Sequence, residues 1–271
     1  MKRGRRVAAS LVVLATIVAT ASAARAGRQL PKPVPCDGCW RPELRTSWQW
    51  QLQGKVDRSV RAHVFDVDMF DTPASTVKAL HRRGRVAICY IDAGTWEDWR
   101  PDADRFPKSV LGANNGWPGE RWLDIRKRKV LGPILEDRMD LCASKGFDGV
   151  EFDNVDGYTN HTGFPLTAAN QLRFDVWLAN QAHRRGLSAA LKNDLEQIPT
   201  LLKYFDFALD EQCFQYSECG KLTRFVDAGK AVFEVEYSLP RSKFCPKANR
   251  MNFNSLRKRL ALGAWRRICR S

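Results

Sequence analysis

The chain has 271 residues, 44% hydrophobic content, nine tryptophans and a formal net charge of +14, which excludes a disordered chain and allows one large core. The charge favours polyanionic surfaces, but the Lys and Arg residues are scattered along helix-like stretches without a recognised nucleic-acid module, so no nucleic-acid partner is expected. The densest basic run, Arg257-Lys258-Arg259 with Arg266 and Arg267, reads as a solvated helix face.

Lys2, Arg3, Arg5 and Arg6 precede an apolar or small stretch from Val7 to Thr20, with A-x-A cleavage after Ala23 or Ala26. This predicts a secretory leader over 1–26, because the run is too short and too rich in Ala and Thr for an anchor. The mature protein is then extracellular, free of the membrane and still basic, at about +10. Residues 27–46, proline-rich and carrying Cys36 and Cys39, read as an irregular lead, and 47–271 has the length of one α/β barrel domain.

Strands are predicted at Trp48–Leu52, His63–Val67, Val86–Ile91, Gly149–Asp153, Ser188–Lys192, Phe205–Leu209 and Ala231–Glu236, with a weaker eighth near Gly263–Arg267. Helices are predicted at Ser75–Arg83, Lys127–Ser144, Ala168–Arg185 and Ser255–Leu262. Four helix-to-strand joints, ending in Gly84, Gly146, Gly186 and Gly229, share a basic or polar last turn before the glycine, the pattern of a helix C-terminal stop. Repeated α-stop-β units imply a parallel sheet, and about eight of them imply a single (β/α)8 TIM barrel. A doubly wound open sheet fits less well, since no glycine-rich nucleotide loop follows the first strand.

Eight cysteines in an exported chain imply disulfides, whose pairing sequence alone leaves open. Cys36/Cys39 and Cys213/Cys219 are near neighbours, and Cys245/Cys269 would fasten the C-terminus. Cys89 faces outward by alternation, toward the helix carrying Cys142. Zinc is not expected, because C-x-x-C occurs once, and neither another metal nor a cofactor is implied.

The strands end in acids. Asp66, Asp68 and Asp71 follow the second, Asp92, Glu97 and Asp98 the third, Asp153 and Asp156 the fourth, and Asp194 the fifth. Asp210 and Glu211 follow the sixth, while Glu234 and Glu236 lie on the seventh. In a barrel these ends open on one face, where barrel enzymes carry their active sites. Isolated buried carboxylates are costly, so this concentration needs a purpose. Asp71 reads as a helix cap, and Asp66-x-Asp68-x-x-Asp71 lacks the glycine and glutamate of an EF-hand loop. Lys192, inward by alternation, would neutralise acids. With no G-x-S-x-G, and with His81 and His183 in helix last turns, carboxylate chemistry remains, and two carboxylates astride an acetal are what glycoside hydrolysis requires.

Five segments then acquire a common meaning: Cys89–Glu97, Glu120–Arg126, Gly146–Asn154, Leu191–Asp194 and Asp210–Cys213 resemble glycoside hydrolase family 114, the endo-α-1,4-polygalactosaminidase-like barrels, from about Trp48 to the C-terminus. The resemblance implies cleavage of α-1,4-linked galactosamine and N-acetylgalactosamine polymers by an Asp/Glu pair. Matched by motif, that pair is Asp153 and Glu211, although alternation along the expected sixth strand turns Asp210 to the axis. Asp66, Asp68, Tyr90, Asp92, Trp96, Asp124, Asn154, Lys192, Asp194 and Glu236 are expected to contact substrate, and the acids among them would attract a cationic polymer. Trp96, Trp99, Trp117 and Trp122 offer faces for sugar rings. A monomeric hydrolase is expected; a non-catalytic carbohydrate-binding envelope protein, or a hydrolase of another polysaccharide, shares the same residues.

Overall fold

A computed structural model describes residues 29–270, and residues 33–271 form one compact unit. The expected leader over 1–26 lies outside the described residues. Parallel strands β1 (Trp48–Gln51), β2 (Val64–Asp68) and β3 (Val86–Asp92) open the sheet, with helix α1 (Ala74–His81) between the last two. An excursion after β3 forms a small antiparallel sheet from β4 (Thr95–Glu97), β5 (Leu111–Asn114) and β6 (Glu120–Leu123), with β6 central. The main sheet resumes through α2 (Arg128–Lys145), β7 (Gly149–Asp153), α3 (Ala168–Arg184), β8 (Ser188–Lys192), α4 (Ile198–Leu201) and β9 (Phe207–Glu211). It continues through α5 (Thr223–Asp227), β10 (Val232–Glu236), α6 (Arg241–Arg250) and β11 (Asn254–Arg257), and β12 (Arg267–Ile268) pairs antiparallel to β11.

Eight strands of this sheet are parallel, in the order β1-β2-β3-β7-β8-β9-β10-β11. The seam between first and last is tied by the Trp48 indole, which donates to the Asn254 carbonyl at 2.6 Å, and by the Leu52 N–H, which donates to the Leu262 carbonyl at 3.0 Å. The architecture is the expected (β/α)8 barrel, with no helix among the described residues between β1 and β2 or after β11.

The four predicted glycine stops all take positive φ: Gly84 at 64°, Gly146 at 85°, Gly186 at 72° and Gly229 at 73°. Helix α3 begins with a capping box, in which the Asn170 N–H donates to Thr167 Oγ1 at 3.2 Å and the Thr167 N–H to Asn170 Oδ1 at 3.0 Å. Its buried Phe174, Leu178 and Ala182, spaced four apart, face the sheet. Inside the barrel Trp48 stacks on Phe233 at 4.7 Å, Phe207 meets Phe233 edge-on at 5.5 Å, and Trp40 from the irregular lead packs on Phe207 at 6.3 Å. Such aromatic pairs contribute roughly 0.5–1.5 kcal/mol each beyond their burial.

The eighth strand is Asn254–Arg257, overlapping the start of the segment expected to be a helix over 255–262. Its leucines suit a helical face, but closing the barrel needs a strand beside β10, and Leu256 joins the barrel core at 2% exposure. Lys258, expected on a solvated face, is therefore buried and donates to the Gly263 carbonyl at 2.7 Å. All four disulfides form: Cys36–Cys39, Cys89–Cys142, Cys213–Cys219 and Cys245–Cys269. Among the described residues no helix is long and apolar enough to cross a membrane.

Candidate active site

Alternation along β7 turns Val150 and Phe152 to the helices and sends Glu151 and Asp153 into the barrel. Asp153 sits at the strand's end, where its carbonyl accepts from the Ala93 and Gly94 N–H groups at 3.2 and 3.1 Å. That approach requires glycine at 94, since a Cβ there would lie 1.7 Å from the Asn154 carbonyl oxygen. Just beyond strands β7, β8 and β9, Asn154, Asn193, Asp194 and Gln212 all take positive φ, at 59°, 49°, 40° and 65°. Strained backbone of this kind clusters where side chains must be aimed. Asn193 uses it to accept the Glu211 N–H on Oδ1 at 3.1 Å.

At the centre, the Lys192 ammonium bonds Asp153 Oδ1 at 2.6 Å and Glu211 Oε2 at 2.9 Å. The two carboxylate oxygens can therefore be no more than about 5.5 Å apart, the two bonds laid end to end. The other oxygen of each carboxylate has a phenol: Tyr90 donates to Asp153 Oδ2 at 2.7 Å, and Tyr237 donates to Glu211 Oε1. Glu211 reaches the lumen in step with Phe207 and Leu209, which line the barrel core, so the sixth-strand alternation favours Glu211 and sends Asp210 behind the sheet.

Burial alone would raise the Asp153 carboxyl. The Lys192 charge and hydrogen bonds from Lys192, Tyr90 and the Asn154 N–H outweigh it, so Asp153 is held below the usual carboxylate range. Burial would likewise lower Lys192, but Asp153, Glu211 and Glu151 raise it well above an ordinary lysine. Lys192 is thus a fixed cation, as neutralisation predicted, and 5.1 Å from the Trp50 ring. Beneath it Glu151 lies 3.7 Å away beside Asp66, and burial pushes Glu151 up to about 8 and Asp66 well above its ordinary value.

Toward the rim, Asp92 accepts from the Thr95 N–H at 2.9 Å and from Asn154 Nδ2 at 3.1 Å. Asp92, Glu97 and Glu120 bring oxygens within 4.8 Å of one another, but Arg100 donates to Glu97 at 2.6 Å and burial pushes Glu120 up to about 7, so protons and guanidinium meet this charge. Asp156 is raised by burial to about 6 and Asp194 to about 7, the latter accepting from Tyr158 at 3.0 Å.

The expected residues Asp66, Tyr90, Asp92, Asn154 and Lys192 gather around Asp153 and Glu211. Others are engaged elsewhere. Asp68 pairs with Arg100 at 2.7 Å, Asp124 with Arg126 at 2.6 Å, and Glu236 is fully buried behind the sheet, accepting the Phe214 and Gln215 N–H groups at 2.9 and 3.1 Å. Trp96 donates to the Ala103 carbonyl at 2.9 Å and lines a cavity of about 790 Å³ with Phe106 and Arg121 that includes neither central carboxylate. Trp122 is core, whereas Trp99 and Trp117 are exposed. Tyr237 was not anticipated, though its place two residues beyond the inward Val235 marks it by alternation.

The model of glycoside-hydrolase family GH114 matches residues 33–271. The chain belongs to this family. It is a glycoside hydrolase, and the crystal structure of Aspergillus fumigatus Ega3 in complex with galactosamine is similar at 39% identity and a TM-score of 0.84, covering 88% of this chain and 100% of that one. The glycoside hydrolase domain of PelA from Pseudomonas aeruginosa shares the fold at a TM-score of 0.65 and 13% identity, over 82% of this GH114 chain and 97% of the other. An uncharacterised Deinococcus radiodurans protein is 26% identical over 196 residues, 64% of this chain and 63% of its own length.

Proposed function

We propose that this GH114 enzyme is secreted and cleaves internal α-1,4 linkages in polymers of galactosamine and N-acetylgalactosamine, with Asp153 as nucleophile and Glu211 as acid/base. The observation that carries the assignment is the single ammonium holding an oxygen of each carboxylate, which brings those two oxygens within about 5.5 Å of each other and favours the shorter carboxyl separation of retaining glycosidases. Asp153, ionised by Lys192, Tyr90 and Asn154, suits the nucleophile. Glu211 is left for the leaving oxygen.

Substrate class rests on the galactosamine bound by Ega3, which is 39% identical and covers 88% of this chain. Export is supported by the pairing of all eight cysteines in disulfides. The test is incubation with partially deacetylated α-1,4-galactosamine polymer, fully acetylated polymer and unrelated polysaccharides, with mass analysis of products and NMR of the first reducing ends. Oligomers bearing α reducing ends, from the amino polymer alone, are expected. Binding without cleavage would support a carbohydrate-binding protein instead.

A further inference from the structure

Lys192 lies at the end of β8, 1% exposed, and contacts three carboxylates that no other cation among the described residues reaches. Its bonds to Asp153 and Glu211 differ by only 0.3 Å, 2.6 against 2.9 Å, and the outer oxygen of each partner is held by a tyrosine. The arrangement is nearly symmetric about the ammonium. A lysine serving only to bind sugar would not need both reacting carboxylates in its grip.

Resting on the catalytic pair proposed above, we infer that Lys192 is a shared counter-ion that follows the negative charge from Asp153 to Glu211 and back during one turnover. In the first step an Asp153 oxygen bonds to the anomeric carbon as the glycosidic C–O bond breaks, and the Glu211 proton passes to the departing oxygen. Asp153 becomes a neutral ester and Glu211 an anion. In the second step water adds to that carbon, its proton returns to Glu211, and the ester bond to Asp153 breaks to restore the carboxylate. One negative charge is present throughout, on alternating sides of one ammonium. Because Lys192 already bonds both sides, the charge is met without rearrangement, the condition under which fixed electrostatics act most strongly.

The surroundings keep the ammonium central. Glu151 lies 3.7 Å beneath it, beside Asp66 from β2, and the Trp50 ring is 5.1 Å away. The titratable and charged groups facing it are Asp153 and Glu151 from β7, Glu211 from β9, Asp66 from β2, Tyr90 from β3, Tyr237 after β10 and Asp156 after β7. Loss of the cation leaves Asp153 with burial and like charges, which favour its protonated, non-nucleophilic form.

The experiment is the pH profile of kcat/KM for wild type, Lys192→Met and Lys192→Met/Glu151→Gln on partially deacetylated α-1,4-galactosamine polymer. The double variant removes a buried carboxyl together with the cation, which protects the fold if the single variant does not purify. A substrate-independent readout accompanies it: the pH titration of the protonated-carboxyl infrared band, differenced against the matching Asp153→Asn protein. The acid limb and the band midpoint should both move up by about one pH unit or more, a tenfold or greater loss of kcat/KM below the limb. An unmoved limb and midpoint, with only a raised KM or only a lowered Tm, would overturn the inference and leave Lys192 a sugar ligand or a filler of the core. Near-normal activity in Asp153→Asn or Glu211→Gln would instead sink the catalytic pair itself. Inactive pair variants alongside an unmoved limb would remove the shared counter-ion alone.

Discussion

Tyr90 on β3 reaches diagonally to Asp153 on the neighbouring β7, donating a phenol hydrogen bond of 2.7 Å to the carboxylate oxygen that Lys192 leaves free. Burial first, then the nearby Asp153 charge, raises the Tyr90 hydroxyl well above a free phenol, so it remains a donor. Tyr90→Phe removes a hydrogen bond to a charged group, worth roughly 1.5–3 kcal/mol, equivalent to a kcat/KM loss of about ten- to a hundredfold. The acid limb should also move upward, because one of the bonds holding Asp153 ionised is gone. Steady-state kinetics across pH would show both effects.

On the opposite side of the sheet from this chemistry, His183 bonds Asp206 at 2.8 Å and the Val34 carbonyl at 3.0 Å, while Arg41 reaches the same aspartate at 2.8 Å. Burial would raise Asp206, but His183, the Ala189 N–H and Arg41 hold it below its usual value. A depressed carboxyl contributes stability above its unfolded pKa, near 3.8, and the contribution is lost as pH falls through the lower folded value. His183→Ala should cost about 2–4 kcal/mol near neutrality, seen as a Tm drop of roughly 4–16 °C that shrinks in acid.

Glu151 has the opposite sign. Its folded pKa of about 8 lies above the ordinary 4.5, so the folded state binds the proton more tightly and stability declines as pH rises between those values. Glu151→Gln should flatten that decline, raising Tm relative to wild type at pH about 8 by several degrees and much less at pH about 5. Thermal melts of both proteins across this window check it.

Cys89 and Cys142 close a 53-residue separation between β3 and α2. Replacing both by alanine should lower stability by about 2–4 kcal/mol through the freed unfolded chain and the lost packing of two buried sulfurs. Chemical denaturation measures this, and activity of the folded fraction should be retained.

Much of this architecture could be read in the chain because its signals were local. Glycine stops preceded strands β3, β7, β8 and β10, and apolar alternation gave β7 and β8 their observed limits. Cys89 faced α2 by the same alternation. Where neighbours decide, the chain was silent or misleading. Asn254–Arg257 is a strand because the barrel needs an eighth, and α6 was hidden by Pro246 within it. The small β4–β6 sheet arises from pairing across a long excursion. Site residues followed the same division: inward Asp153 and Lys192 were visible from period two. That Asp124 and Asp68 answer to Arg126 and Arg100, and Glu236 to loop amides, depends on contacts that only the folded chain creates.

The most direct measurement is the rate at which purified, folded Asp153→Asn and Glu211→Gln proteins release reducing ends from partially deacetylated α-1,4-galactosamine polymer. Each is predicted to fall by about a thousandfold or more against wild type, with polymer binding retained. Near-wild-type release by either variant would contradict the assignment of Asp153 and Glu211 as the catalytic pair.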